Sequence, residues 1–172
     1  MRFAHLADVH IGCWRDPEMK QLSVEAFREA CDRVIEEDLD FLLIAGDLFH
    51  TAIPSLDLVK AVVRKLQAVN NAGIPTYFIA GSHDFSPTGK TMLEVIEEAD
   101  LGVNVTQGRI SDDGDLVLSF TDDEETGVKL TGIIGKSGML DQQHYNDLDR
   151  AALEDETGEK IFLFHTAIDE LK

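Results

Sequence analysis

The sequence predicts an α/β fold with a largely parallel sheet, and three observations support that prediction. Short apolar runs of strand length recur along the chain, at 2–7, 40–46, 75–81 and 160–165. Longer stretches with helical periodicity separate the first three. Each of the four runs also ends at, or within two residues of, an aspartate or histidine at its C-terminal end.

The first run, "RFAHLA", leads into "DPEMKQLSVEAFREACDRVIEE" (16–37). There Asp16 and Pro17 supply a cap and a first turn, and Phe27, Cys31 and Val34 form an inward stripe. "DFLLIAG" (40–46) is continuously apolar, as a strand buried on both faces should be. In "PSLDLVKAVVRKLQAVNNAG" (54–73), Ser55 is the expected cap. Leu58, Val62, Leu66 and Val69 line one face of that helix, and Gly73 ends it. A second apolar stripe, Leu56, Val59 and Val63, runs along another part of its surface. After "PTYFIAG" (75–81), a third helix is expected over 89–99. Met92, Val95, Ile96 and Ala99 would face inward there, with Gly102 just past the end. The pattern then changes: "LVLSF" and "VKLTGII" flank the acidic "TDDEETG" and predict an antiparallel hairpin. The polar stretch "LDQQHYNDLDRAALED" reads as partly helical, and "KIFLFH" (160–165) as the last strand. Little follows that strand. Residues 1–172 are therefore expected to be the N-terminal part of a domain, truncated before its C-terminal strands.

No stretch approaches the ~18 consecutive apolar residues of a membrane span, and the N-terminus carries no signal-peptide pattern. Cys13 and Cys31 suggest neither a zinc spacing nor a disulfide framework, so a reducing, intracellular setting is the default. The charge is unusual: 33 acids against 15 bases give a net −18. Such a surface repels nucleic acid at low salt. It also suits a salty cytoplasm, where the screening length falls to about 3 Å near ~1 M.

Ser82, His83 and Asp84 spell a hydrolase triad, but in consecutive positions. Neighbours on one backbone cannot chain their side chains as nucleophile, base and orienter, so that reading fails. The strand ends offer another. Asp8 and His10 follow the first run, Asp47 the second, His83 the third, and His165 closes the fourth. In open α/β sheets, ligands bind beyond the carboxyl ends of the strands, so these groups should meet along one edge. Carboxylates and imidazoles without thiolates suit manganese, iron or zinc. Asp8 and His10 are two apart and share a face of an extended segment, and Asp47 is the natural bridge between two cations. A pair of ions roughly 3.5–4 Å apart would activate water at a phosphoryl centre.

"DVH", "GDLFH" and "GSHD" resemble the first three motifs of the calcineurin-like metallophosphoesterases: D-x-H, G-D-x-x and G-N-H-D/E. The wider strings "FAHLADVHIG" and "LLIAGDLFH" are more specifically similar to the DNA double-strand-break repair nuclease of the Mre-eleven/SbcD type, in its archaeal form. The likeness runs from residue 1 to about 100 and, more loosely, to "FLFHT".

The resemblance implies a metallophosphoesterase sandwich with a two-metal centre, manganese first, with iron, zinc or magnesium as alternatives. By position, Asp8, His10 and Asp47 would hold one metal, and Asp47, His165 and Ser82 the other. His83 would be the general acid, Asp84 its orienter, and His50 a candidate contact to the DNA backbone or a packing residue. The implied partners are DNA, an SMC-like ATPase subunit, and a second copy docked through helices near 55–72 and 89–99. The implied setting is cytoplasmic and nucleoid-associated.

Two departures matter. Ser82 stands where the family has asparagine, and neither the final G-H-x-H motif nor the DNA-binding cap that follows it occurs in these residues. The chain alone is therefore expected to be weakly active at most. A phosphatase or cyclic-nucleotide phosphodiesterase of the same superfamily is the rival reading. A non-catalytic interaction module is another.

Overall fold

The structure is a computed structural model that describes residues 1–86, 89–136 and 142–168. Its first half alternates as expected: β1 (Phe3–Leu6), α1 (Pro17–Glu36), β2 (Phe41–Ala45), α2 (Leu56–Asn71), β3 (Thr76–Ile79), α3 (Met92–Glu98) and β4 (Val103–Asn104). The four strands lie side by side in chain order, all parallel. Next come β5 (Gly108–Ile110), β6 (Leu116–Leu118), β7 (Thr121–Asp122), β8 (Lys129–Gly132), α4 (Gln142–Asn146), α5 (Arg150–Asp155) and β9 (Lys160–Leu163). A second sheet has the order β7-β8-β9, antiparallel then parallel.

Side chains alternate across a strand, and both faces of β2 and β3 are buried. Leu42, Ile44 and Phe78 face the helices, where they meet Phe27, Cys31, Val34, Val62, Leu66 and Val69. Phe41, Leu43, Ala45, Tyr77 and Ile79 face the other way, onto Val128, Leu130 and Leu163 of the second-sheet region. The molecule is therefore layered as helices, sheet and sheet. The apolar run of 40–46 has no polar face because it has no solvent face.

The helix ends follow local chemistry. The Asp16 carboxylate accepts the Glu18 and Met19 N–H groups, each at 3.0 Å, and Pro17 opens α1. Gly73 takes a φ of 80° just beyond α2, where a side chain would strain the backbone. An ion pair between Lys65 and Asp32 ties α2 to α1. Burial pushes the Cys31 thiol up to about 12 against the pull of Lys65, so it stays protonated inside the core.

Several expectations need correction. Ser55 precedes α2, but its side chain makes no cap; its carbonyl accepts the Leu58 and Val59 N–H groups instead. Val59 and Val63 pack against the helix's own core, which leaves Leu56 as the exposed member of the second stripe. The third helix is shorter than 89–99 because Thr91 caps it, and Leu93 and Ile96 are its buried pair. Val95 and Ala99 face solvent. Gly102 does not end that helix. Asp100 takes the left-handed turn, whereas a Cβ on Gly102 would meet the Phe78 ring at 3.0 Å.

The expected hairpin is also redrawn. "LVL" pairs with β5, and β7, inside the acidic segment, pairs with β8. The reason is a tight turn: the Asp123 N–H bonds Val128 O at 2.9 Å, and the Gly127 N–H bonds Asp123 O at 2.8 Å. The polar stretch 140–155 does hold two short helices, though residues 140 and 141 lie outside the described residues.

Asp123 is buried, and it accepts the Tyr77 hydroxyl at 2.8 Å and the Thr126 N–H at 2.9 Å. Burial raises its carboxyl, but the hydrogen bonds from Thr126 and Tyr77 outweigh that and hold it below the usual range. Its ionised form is the one the fold prefers, so it stabilises the protein above the unfolded value of ~3.9. That contribution is lost as pH falls through the lower folded value. We expect Asp123→Ala to cost about 2 kcal/mol in urea unfolding at neutral pH, with the gap to wild type narrowing on acidification.

Candidate metal centre

The loops after β1 and β2 are laced together before any side chain is considered. The His10 N–H bonds Asp47 O at 2.9 Å and the Ile11 N–H bonds Leu48 O at 3.0 Å, forming a short parallel bridge at Ile11 and Phe49. Within this lacing Asp8, His10 and Asp47 take φ values of 50°, 46° and 52°. L-residues rarely adopt that left-handed conformation, and each instance costs about 1 kcal/mol or more. The strain turns the three side chains out of the strand direction and toward one point.

Asp47 sits at that point. Its side chain is 3% exposed. Oδ1 accepts the His83 backbone N–H at 2.8 Å, while Oδ2 lies 3.3 Å from His165 Nε2 and 3.5 Å from His10 Nε2. Burial alone would raise this carboxyl, but hydrogen bonds from His165 and the His83 N–H, with the His165 and His10 charges, bring it below its ordinary value. Asp8 is exposed, with Oδ1 3.5 Å from His10 Nε2 and 3.9 Å from His165 Nε2.

His165 arrives from the far end of the chain. Its Nδ1–H donates to Ala45 O at 2.9 Å, which fixes the ring and aims Nε2 at the carboxylates. The hydrogen bond to Asp47 raises its pKa to about 9 against the opposing effect of burial. The two carboxylates thus draw positive charge to this place.

The turn after β3 carries Ser82, His83 and Asp84. Ser82 is half-buried beside the His83 N–H that reaches Asp47. His83 lies with His10 and His50 in a ring cluster, its centroid 4.8 Å and 5.0 Å from theirs. Burial lowers the pKa of His50, and the neighbouring His83 and His10 push the same way. Asp84 was expected to orient His83, but the structure gives it another partner set. Its buried carboxyl accepts the Gly81 N–H at 2.9 Å and the Phe49 N–H at 3.2 Å. Burial pushes that carboxyl up, and the two N–H groups offset this only in part. The His83 ring is held instead by His50, whose carbonyl accepts its Nδ1–H at 2.9 Å.

Three glycines that periodicity does not mark, Gly46, Gly81 and Gly135, seat these groups. A Cβ on Gly81 would lie 2.2 Å from Asp47 Oδ1, and one on Gly135 would lie 2.7 Å from His165 Cδ2. Gly46 closes the other side of the His165 ring, where a Cβ would meet Nδ1 at 2.6 Å. A glycine at the end of an apolar run, as in "FIAGSHD" and "TGIIGK", is the signal that could have found them.

Two sheets with helices outside, and carboxylates and imidazoles gathered at the strand ends, define a metallophosphoesterase frame. The family model for calcineurin-like phosphoesterases matches residues 1–170, and the chain belongs to that family. Among curated proteins it is similar to the DNA double-strand break repair protein Mre11 of Archaeoglobus fulgidus. The two are 33% identical over 103 residues, which is 59% of this chain and 23% of that protein. The Mre11 of Haloferax volcanii is 32% identical over 110 residues, 63% of this chain and 24% of that protein. This chain therefore spans about a quarter of the length of these relatives. A dimetal phosphatase from Danio rerio gives a TM-score of 0.41 at 14% identity, covering 56% of this chain and 33% of that one.

The family uses divalent metals, and the donors present here fit one. Asp8, His10 and Asp47 offer ligand atoms within 4.8 Å of one another, and His165 Nε2 faces the same oxygens. Two carboxylates with two imidazoles suit a hard-to-borderline cation. Gly81→Ala should displace the Asp47 carboxylate and weaken Mn²⁺ binding about tenfold or more, read from the free-ion electron paramagnetic resonance signal. Circular dichroism should show the fold retained.

Proposed function

We propose that this chain is the metal-binding part of a DNA nuclease of double-strand-break repair, which hydrolyses phosphodiesters with two divalent ions, manganese first. The observation that supports this most is the convergence of Asp8, His10, Asp47 and His165 on one point, with His83 beside them. The similarity to the Mre11 proteins, over 59% and 63% of the chain in the two cases, supports the same reading.

Asp8, His10 and Asp47 would hold one ion; Asp47, His165 and Ser82 would hold the other. When bound, such ions lower the pKa of water and offset charge on the phosphoryl oxygens. His83 supplies the proton. Its Nδ1–H is anchored on His50 O, so in the imidazolium form Nε2–H is the group left to protonate the departing oxygen. Asp84 acts one step back, by fixing the backbone at Gly81 and Phe49 on either side of Asp47. His50 lies at the mouth of the cluster, where a phosphodiester backbone would pass.

The whole protein would work in the cytoplasm on the nucleoid, with an SMC-like ATPase and DNA as partners. No helix among the described residues is long and apolar enough to cross a membrane. The 172 residues contain no G-H-x-H string, so this chain by itself should bind Mn²⁺ weakly and turn over slowly.

Cleavage of linear duplex DNA and of bis-p-nitrophenyl phosphate by the whole protein tests the reading. Mn²⁺-dependent cleavage of DNA is expected. Turnover of the small ester alone would favour the phosphatase or cyclic-nucleotide phosphodiesterase that the acidic surface also suits, and activity on neither would favour an interaction module. In the whole protein, His83→Ala should lower turnover by about 10²–10⁴-fold while leaving Mn²⁺ uptake unchanged. Lost uptake would make His83 a ligand.

The same reading includes a homodimer through α2 and α3. Leu56 and Val95 support it, being apolar and exposed at 74% and 53%. A two-fold contact needs one patch that fits itself, and in this reading Leu56 and Val95 would contribute to it. Leu56→Glu with Val95→Glu should give a folded monomer by light scattering. An unchanged dimer would place the contact elsewhere.

A further inference from the structure

The His10 ring faces two different groups. Its Nε2 lies 3.5 Å from Asp8 and 3.5 Å from Asp47, while its Nδ1 lies 3.5 Å from Nδ1 of His50. The His83 ring stands edge-on to His10 and closes a third side. His10, His50 and His83 offer ligand nitrogens that all fall within 4.8 Å of one another. We propose that these three imidazoles form a separate cation site, selective for zinc, and that filling it excludes a cation from the Asp8–His10–Asp47 set.

The geometry is close to what zinc needs. Two nitrogens bound at ~2.05 Å in a tetrahedron stand roughly 3.3 Å apart. The His10 and His50 nitrogens are already at 3.5 Å. The His83 Nδ1–H donates to His50 O, which leaves the Nε2 lone pair of the neutral ring as its ligand atom. His10 and His50 are half-buried and His83 is exposed, which leaves a fourth position open to water.

The donor type sets the selectivity. An all-imidazole set suits zinc, whereas carboxylate sets suit manganese and magnesium. The neighbouring group of Asp8, His10 and Asp47 sets two carboxylates beside its one imidazole, so it accepts manganese as the all-imidazole set does not. The two sites therefore differ in donor chemistry, and they share one ring.

That sharing makes them exclusive. A neutral imidazole has one lone pair, and its other nitrogen carries hydrogen. When Nδ1 of His10 binds zinc, Nε2 is an N–H that donates to Asp8 and Asp47 and ligates nothing. When Nε2 ligates a cation beside the carboxylates, Nδ1 is protonated and turned toward His50. Zinc on the imidazole face would also occupy the His83 nitrogen needed for proton donation. A zinc-loaded chain would then lack both the cation at the carboxylates and the proton donor.

The test uses the metal-free 172-residue chain and reads binding alone, so it stands whether or not the substrate is DNA. Zn²⁺ affinity is measured against a chromophoric chelator, and Mn²⁺ by the resonance signal of the free ion. His50→Gln should weaken Zn²⁺ by about tenfold or more and leave Mn²⁺ unchanged. Asp8→Asn should do the reverse. Zn²⁺ added to the Mn²⁺-loaded chain should release Mn²⁺ one for one. His83→Gln serves as a second variant, with circular dichroism as the check on folding. If zinc affinity follows Asp8→Asn and ignores both histidine variants, the zinc sits among the carboxylates and the proposal fails. Zn²⁺ uptake that releases no Mn²⁺, or a wild-type chain that takes up no zinc, would equally overturn it.

Discussion

The buried carboxylate of Asp47 is the interaction on which the rest of the site depends. Burying a charge is expensive unless hydrogen bonds replace the lost water, and here they come from several parts of the chain. One oxygen takes the His83 backbone N–H from the turn after β3, and the other faces His165 from beyond β9 and His10 from beyond β1. The Asp47 backbone carbonyl also accepts the His10 N–H. Segments distant in sequence are thus tied to a single side chain. Its ionised state follows from those bonds outweighing its burial.

The layers explain how such a carboxylate can be held so firmly. β2 is covered by helices on one face and by the second sheet on the other, so its C-terminal end projects from the most constrained part of the molecule. The left-handed turns at Asp8, His10 and Asp47 are tolerated because the lacing between the two loops over-determines them. A looser scaffold would relax them and let the side chains fall back along the strands. Strain and rigidity are located together.

Much of this was legible in the residues, and the reasons are local. Asp16-Pro17 announces α1, and the uninterrupted "FLLIA" announces a strand buried on both faces. The strand-end aspartates and histidines follow because a parallel sheet gathers such ends along one edge. What escaped notice depends on approach between distant segments. Gly81 and Gly135 matter only because Asp47 and His165 press against them. Asp84 was read by its neighbour in sequence, yet its hydrogen bonds run to backbone groups of Gly81 and Phe49. The redrawn hairpin has the same origin. Periodicity marks "LVLSF" as a strand but is blind to the turn at Asp123 that decides which partner it takes.

The bond from His165 to Ala45 joins positions 120 residues apart. Asp8, His10 and Asp47 all leave the ribosome long before His165 does. During synthesis the nascent chain therefore exposes those carboxylates and imidazoles without the His165 ring beside them. Only when β9 has docked beside β8 does the His165 ring slot between Gly46 and Gly135. Contacts of such long separation form late, after the loop closure they demand. The contact between His165 and Asp47 is in this way deferred until the second sheet has closed against the first.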